Sequence, residues 1–413
     1  MGGDPEKRIG RRTARGKGRT ACAVIWTLIG LLGFPARGQA SQLVPPAVGA
    51  QDASLAGNVV ALSLNPASAL FHNPAQLTRL PNSITGSLLA IRFHPRYANS
   101  LGYDNTSREL PLAPALGYVT DRWAPFHVGI GMYGSLGFAY NFDADPARGV
   151  SNKFFTELAV ISLAAAIAYS PMPNLHLGVA LNPSYGRLRL KTPSPVGRID
   201  VDVRGPGVFS TLGLLYTPIP QLSLGIGYKT PGTIFMFGNA RVAGRGDNAR
   251  VDFQFPQVLE FGAAYRLTDH FTVVTQARWT EFSAFEDTEL RFARRTFLNR
   301  TAVNDARDRF RLGGGVQYLL FPGVTLQVGF SWERWAIKSS SLAPTLPDLT
   351  EYYMFPVGIS FDRGSWQIDL SAGQSYTESR HVTAERNPFF AGRYALDQAI
   401  FCTQITYRLG KSE

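Results

Sequence analysis

Cysteine is nearly absent. The 413 residues include two, Cys22 and Cys402; Cys22 falls in the segment read below as a signal, and the one thiol left can form neither an internal disulfide nor a multi-cysteine zinc site. Charged residues are scarce too, at 17% against roughly a quarter in an average soluble domain. No stretch reaches the ~18 apolar residues of a membrane helix; the richest, Leu158 to Tyr169, is strand-length and broken by Ser162. The six histidines (His72, His94, His127, His176, His270, His381) are scattered, with no two at metal-ligand spacing, so no metal is expected. No G-x-S-x-G elbow occurs. Gly129-x-Gly131-x-x-Gly134 has the letters of a dinucleotide fingerprint, but nothing helical follows it, so no cofactor is expected either.

The net charge of +11 misleads. Eight bases and two acids precede residue 41, which leaves 33 bases against 28 acids, or +5, for the rest. A nucleic-acid partner therefore loses its support. Those first 40 residues read as a secretory signal. A basic stretch runs to Arg19, an apolar one from Ala21 to Phe34, and Gly38-Gln39-Ala40 offers small residues for cleavage. An exported chain without a membrane helix is periplasmic, secreted, or a barrel.

What the chain has in quantity is glycine (41), phenylalanine (27) and tyrosine (16), set in repeated period-two alternation. Val324, Leu326, Val328 and Phe330 alternate with Thr325, Gln327, Gly329 and Ser331; Leu222-Ser223-Leu224-Gly225-Ile226-Gly227-Tyr228 does the same with small partners. Alternation alone proves only β structure. Connection lengths decide between sandwich and barrel. Strands read near 83–93, 112–121, 126–138, 155–170, 174–190, 207–217, 221–231, 256–267, 270–281, 309–320, 324–335, 353–363, 365–378 and 398–409. Short turns such as Pro171-Met172-Pro173, Leu267-Thr268-Asp269 and Phe321-Pro322-Gly323 alternate with long polar connections at 282–308, 336–352 and 379–397. An up-and-down membrane barrel has this pattern, with both termini in the periplasm when the strand count is even. The fold expected is all-β: an antiparallel transmembrane barrel of about 14 strands over 83–413. Tyr118, Trp123, Tyr228, Trp279, Trp332, Trp335 and Tyr407 stand near strand ends, as interfacial girdles do. Residues 41–82 break the pattern. They are small, apolar and turn-rich, with Asn65-Pro66-Ala67 and Asn73-Pro74-Ala75, and have the length of a plug for the lumen.

Ala56-Gly57-Asn58 through Asn73-Pro74-Ala75-Gln76-Leu77 resembles the N-terminal hatch of the FadL family of outer-membrane transporters. Gly227-Tyr228-Lys229-Thr230, the pair of strands from Phe255-Pro256 to Trp279-Thr280-Glu281-Phe282, the hairpin from Arg311 to Phe330, and Pro344-Thr345-Leu346-Pro347-Asp348 resemble further family segments in the family's order. The resemblance covers essentially all of the mature chain. It implies a hatch-blocked barrel in the outer membrane that takes up hydrophobic compounds passively, above all long-chain fatty acids, and releases them sideways where the third strand kinks inward. The hatch residues would be His72, Asn73, Pro74 and Ala75, and the kink would fall at Gly131, Gly134, Ser135 and Gly137. Ser135-Leu136-Gly137 stands where the family has Pro-Phe-Gly.

A carboxylate needs a cation at the mouth of its channel. The alternation puts Arg278 and Lys229 on the lumen phase, near the outer ends of their strands, as headgroup candidates. Expected partners are a hydrophobic small molecule, outer-membrane lipid and, during biogenesis, the barrel-assembly machinery; the barrel is expected to be a monomer. Two alternatives stay open: uptake of aromatic hydrocarbons, and a barrel enzyme that hydrolyses membrane lipid.

Overall fold

The computed structural model describes residues 45, 47–194, 196–301, 305–344, 346 and 351–410. The signal segment at 1–40, the first hatch residues 41–44, and Thr345, Pro347 and Asp348 of the outer-loop motif lie outside them.

Fourteen antiparallel strands close on themselves: β1 (Ser83–Ala98), β2 (Leu112–Trp123), β3 (Phe126–Phe142), β4 (Phe154–Met172), β5 (Leu175–Thr192), β6 (Ile199–Ile219), β7 (Leu222–Lys229), β8 (Val258–Arg266), β9 (Phe271–Thr280), β10 (Arg309–Phe321), β11 (Val324–Glu333), β12 (Tyr352–Arg363), β13 (Trp366–Thr377) and β14 (Gly392–Arg408). The seam is the long ladder of β1 on β14, from Ser83–Arg408 to Ala98–Arg393. Closure leaves no edge and pairs the backbone internally, as the bilayer demands.

Side-chain phase follows the alternation. On β11 the outward Leu326, Val328 and Phe330 are 37%, 48% and 39% exposed, whereas Gln327 and Ser331 are buried in the lumen. On β14 Phe401 points out and Cys402 and Gln404 point in. Trp123, Phe126, Tyr169, Tyr318 and Trp366 are exposed at the short-turn rim, a girdle in which Trp366 packs on Tyr407 at 4.5 Å. Trp335 does not belong to it. It lies in an outer connection, sandwiched by Arg307 at 3.5 Å and Arg380 at 4.1 Å.

One connection is more structured than expected. Between β7 and β8 stands a hairpin, Gly232–Val242 paired with Arg245–Phe255, which docks on the outer half of β6. It carries the wall outward past the short β7 and turns at Ala243-Gly244, both at positive φ.

Residues 47–80 fill the lumen. Helix α1 (Ala50–Ser54) and helix α2 (Pro66–His72) precede a 3-10 turn, Pro74–Arg79. Both Asn-Pro-Ala repeats begin a helical turn for one reason: Asn caps it and proline fills the first position, where no N–H is needed. Asn65 accepts from Ser68 N at 2.9 Å and Asn73 from Ala75 N at 3.1 Å.

Candidate functional site: hatch, charged tier and apolar cavity

The hatch sits in a socket made by glycine. Gly117, Gly178, Gly213, Gly225, Gly313 and Gly329, on six different strands, face inward where hatch atoms touch the wall. A Cβ at any of them would overlap Ala67, Ala75, Asn73, Val60, Asn58 or Leu55 respectively. Amide side chains then tie hatch to wall. Asn73 Nδ2 donates to Val60 O and to Leu214 O of β6, each at 2.9 Å. Asn58 Nδ2 donates to Gly314 O and Phe330 O at 3.2 and 2.9 Å. Val60 N donates to Gln276 Oε1 at 2.9 Å and Ala50 N to Gln404 Oε1 at 3.0 Å. His72, Asn73, Pro74 and Ala75 are all buried within this packing.

A charged tier lies directly outward of the socket on β7 to β12. Register puts Glu260 opposite Arg278, Arg278 opposite Arg311, Arg311 opposite Glu333, and Glu333 opposite Tyr352. Glu260 accepts from Arg278 Nε at 2.7 Å and Gln276 Nε2 at 2.9 Å, with Lys229 Nζ 3.8 Å away. Lys229 also sits over the Phe71 ring of the hatch at 4.1 Å, a cation–π contact. His72 bridges the two bodies, its Nδ1 3.4 Å from Glu260 and its Nε2 3.8 Å from Asp52 of α1. Burial pushes the His72 imidazole down to about 4 and the Asp52 carboxyl up to about 7. The structure thus brings Lys229, Arg278 and His72 together around one carboxylate. Sequence reasoning did not find that carboxylate, because Glu260 meets its partners only through the ladder.

Farther outward, under the long connections, is an apolar cavity of about 410 Å³. Phe138, Leu158, Leu188, Phe253, Phe282, Phe285 and Phe390 dominate its wall, and none of the described lining residues is charged. Its size and chemistry are those of a small-molecule pocket. Phe209 and Phe255 stack just below at 4.1 Å.

The wall beside the cavity is interrupted. The β2–β3 ladder runs from Trp123–Phe126 to Leu116–Met132; β3 continues to Phe142 along β4 alone. A bulge falls between Gly134 and Leu136, and Tyr133 to Tyr140 are buried on both faces of the strand. Loss of alternation there means that β3 leans into the lumen, as bulged strands bend. Ser135 at the bulge accepts from Ser162 at 2.8 Å, and Ser162 lies 2.7 Å from Ser184. Gly131 lies at the last ladder pairs, against Leu70 of the hatch. Gly137 and Phe138 follow the bulge, Phe138 lining the cavity. The 99–109 segment caps the outer end of the interruption, where Asn141 N donates to Ser107 Oγ at 2.9 Å and Tyr103 Oη to Asp143 O at 2.6 Å.

A closed barrel with lipid-type side chains outside, a bonded hatch inside and an apolar chamber above it defines a plugged membrane channel. The chain belongs to the outer membrane protein transport protein family (OMPP1/FadL/TodX), whose family model matches residues 40–409. It is an outer-membrane channel for hydrophobic compounds and not an enzyme. Among solved structures it is similar to a Pseudomonas aeruginosa FadL homologue, at 15% identity over 89% of this chain and 100% of that one, with a TM-score of 0.75. The Ralstonia pickettii toluene transporter TbuX aligns at 18% identity over 89% and 99%, TM-score 0.70. The P. putida toluene transporter TodX aligns at 17% identity over 89% and 100%, TM-score 0.72. No curated protein matches by sequence. At these identities the solved structures establish the fold.

Proposed function

We propose that the channel takes up long-chain fatty acids, or molecules of similar length and polarity, by passive diffusion. The ligand enters the cavity from the outer loops, meets the hatch, and leaves sideways between β2 and β3. One observation carries this: the cavity of about 410 Å³, whose described lining residues carry no charge, is bounded on one side by Phe138, just past the bulge in the interrupted wall. The cavity and the interrupted wall therefore share one strand. Arg278 and Lys229 form the cationic floor toward which a carboxylate would point, and His72 with Asn73-Pro74-Ala75 forms the gate.

A second reading, uptake of aromatic hydrocarbons, draws support from the aromatic lining and from relatives described as toluene transporters. Cells that lack their own uptake channel and express this chain separate the two. Uptake of labelled hexadecanoate well above that of labelled toluene supports the fatty-acid reading, and the reverse order transfers it to the aromatic one. Phe253→Glu, which charges the cavity wall, should abolish uptake of whichever ligand is carried. Unchanged uptake in that variant would show that the cavity is not on the route.

A further inference from the structure

The lipid face of the barrel carries a row of arginines. On β5 the outward Leu177, Val179, Leu181 and Tyr185 are exposed, and Arg187 comes next on that face. On β6, Leu212 and Val208 lead to Arg204 in the same way. Register sets these cations side by side. Arg187 stands opposite Arg204, Arg204 opposite Phe237 of the 232–255 hairpin, Phe237 opposite Arg250, and Arg250 opposite Arg291 of a short strand, Glu289–Phe292. With about 4.8 Å between neighbouring strands, two arginine pairs flank one ring, their near members about 10 Å apart.

The row stands at a defined height. Leu177 pairs with Tyr169 of the short-turn girdle, and Arg187 lies ten residues farther along β5. At about 3.4 Å per residue and a tilt of about 40°, that is roughly 25 Å of rise, the height of a barrel's apolar band. Hydrocarbon therefore ends at the row. With the long connections outward, the headgroups it meets are those of the outer leaflet. The reverse face of the same strands lines the apolar cavity, through Leu188, Val251 and Leu290.

Cations exceed their partners along the row. Arg187 is held by Asp202 at 3.1 and 2.7 Å and Arg250 by Asp252 at 2.8 Å; Arg291 pairs with Glu289. Arg204 has no ion pair among the described residues. Exposed pairs of this kind hold weakly, and a phosphate offers each fork the same bidentate match. Just below the row, Tyr185, Val208 and Phe235 present apolar surface.

We propose that this face binds a diphosphorylated glycolipid of the outer leaflet, of the lipid A type. One phosphate sits between Arg187 and Arg204 and the other between Arg250 and Arg291. The sugar body spans Phe237, and the acyl chains lie against Tyr185, Val208 and Phe235. The bound lipid backs the cavity wall from outside. It goes beyond the uptake reading, which stands without it.

Native mass spectrometry of the purified full-length barrel in a non-ionic detergent tests this, with lipid A, phosphatidylglycerol and inorganic phosphate as probes. Wild type should retain one lipid A at least about tenfold more tightly than phosphatidylglycerol, which has a single phosphate. Replacing both members of one pair, Arg187→Gln with Arg204→Gln, should weaken lipid A binding at least about tenfold. Arg92→Gln, which removes an outward arginine of β1 outside the row, should change nothing. Heat-dependent gel mobility reports that each variant is a folded barrel. Undiminished lipid A binding by the double variant overturns the proposal, as does an equal loss in Arg92→Gln. Equal retention of lipid A and phosphatidylglycerol by wild type overturns it too, and so does displacement of lipid A by equimolar inorganic phosphate.

Discussion

Glu260→Gln removes the charge on which the hatch and the wall converge. The carboxylate is 1% exposed, takes hydrogen bonds from Arg278 and Gln276, and lies 3.4 Å from His72 and 3.8 Å from Lys229. The amide keeps its shape but strands two buried cations. Removing one partner of a buried ion pair costs about 3–5 kcal/mol. The strands keep their own ladders, so the loss falls on the docked hatch. With about 1.4 kcal/mol for each factor of ten, the lower figure multiplies the undocked fraction by about 100. Cys402 serves as a built-in reporter. It faces the lumen, is 2% exposed, and packs in the same cluster as Ala47, Val48 and Ala50 of the hatch. Maleimide labelling of Cys402 in the detergent-solubilised barrel should therefore accelerate by about two orders of magnitude in the variant. Asp202→Asn, which breaks the exposed Arg187–Asp202 pair, should leave the rate unchanged, since surface pairs are worth ~0–1 kcal/mol. Equal labelling of wild type and Glu260→Gln, both migrating as folded barrels, would refute the idea that Glu260 holds the hatch.

Three further outcomes are expected. Leu326→Arg, on the lipid face, should cost roughly 2–4 kcal/mol in a folding titration into lipid vesicles; Gln327→Leu, on the lumen face, should cost much less, losing its bonds to the hatch residue Ser54 and to Ser360 of β12. Cysteine at Ser340, in an exposed outer connection, should label on intact cells and cysteine at Thr268 in a short turn should not; the opposite result reverses the orientation. Deleting residues 41–72 should leave a barrel that lets sugars swell liposomes, whereas Asn73→Ala, which loses its bonds to Val60 and Leu214, should slow hydrophobic uptake without opening such a leak.

Most of the barrel was legible in the sequence because lipid outside and hatch inside impose opposite demands on successive residues, and that contrast survives in the letters. The strand from 207–217 is longer than it reads, beginning at Ile199, because its outer half continues between β5 on one edge and the 232–255 hairpin on the other. That hairpin escaped notice for a related reason. Its outward Phe235 and Phe237 are exposed beside Arg250, which lies 5.1 Å over Phe237, so charge and aromatics mix where a lipid-facing strand would be uniformly apolar. The lumen glycines could be read one at a time as bulges or close approaches. Their common purpose shows only when register sets them against the hatch. Lys229 and Arg278 were placed on the correct face by parity, but parity says nothing of what lies across the ladder. Glu260, Arg311 and Asp52 needed the three-dimensional pairing.

The seam between β1 and β14 has a consequence for biogenesis. The hatch runs straight into β1, with Ser83 paired to Arg408 at the far end of the chain. Closure therefore waits for the last strand, and the same event that zips the cylinder also imprisons the segment preceding its first strand. The socket glycines belong to strands on both sides of that seam, from Gly117 on β2 to Gly329 on β11. A hatch left outside when the zipper ran would have to enter through an end of the finished cylinder. A hatch gathered in while the sheet is still an open half-pipe meets its socket from the side.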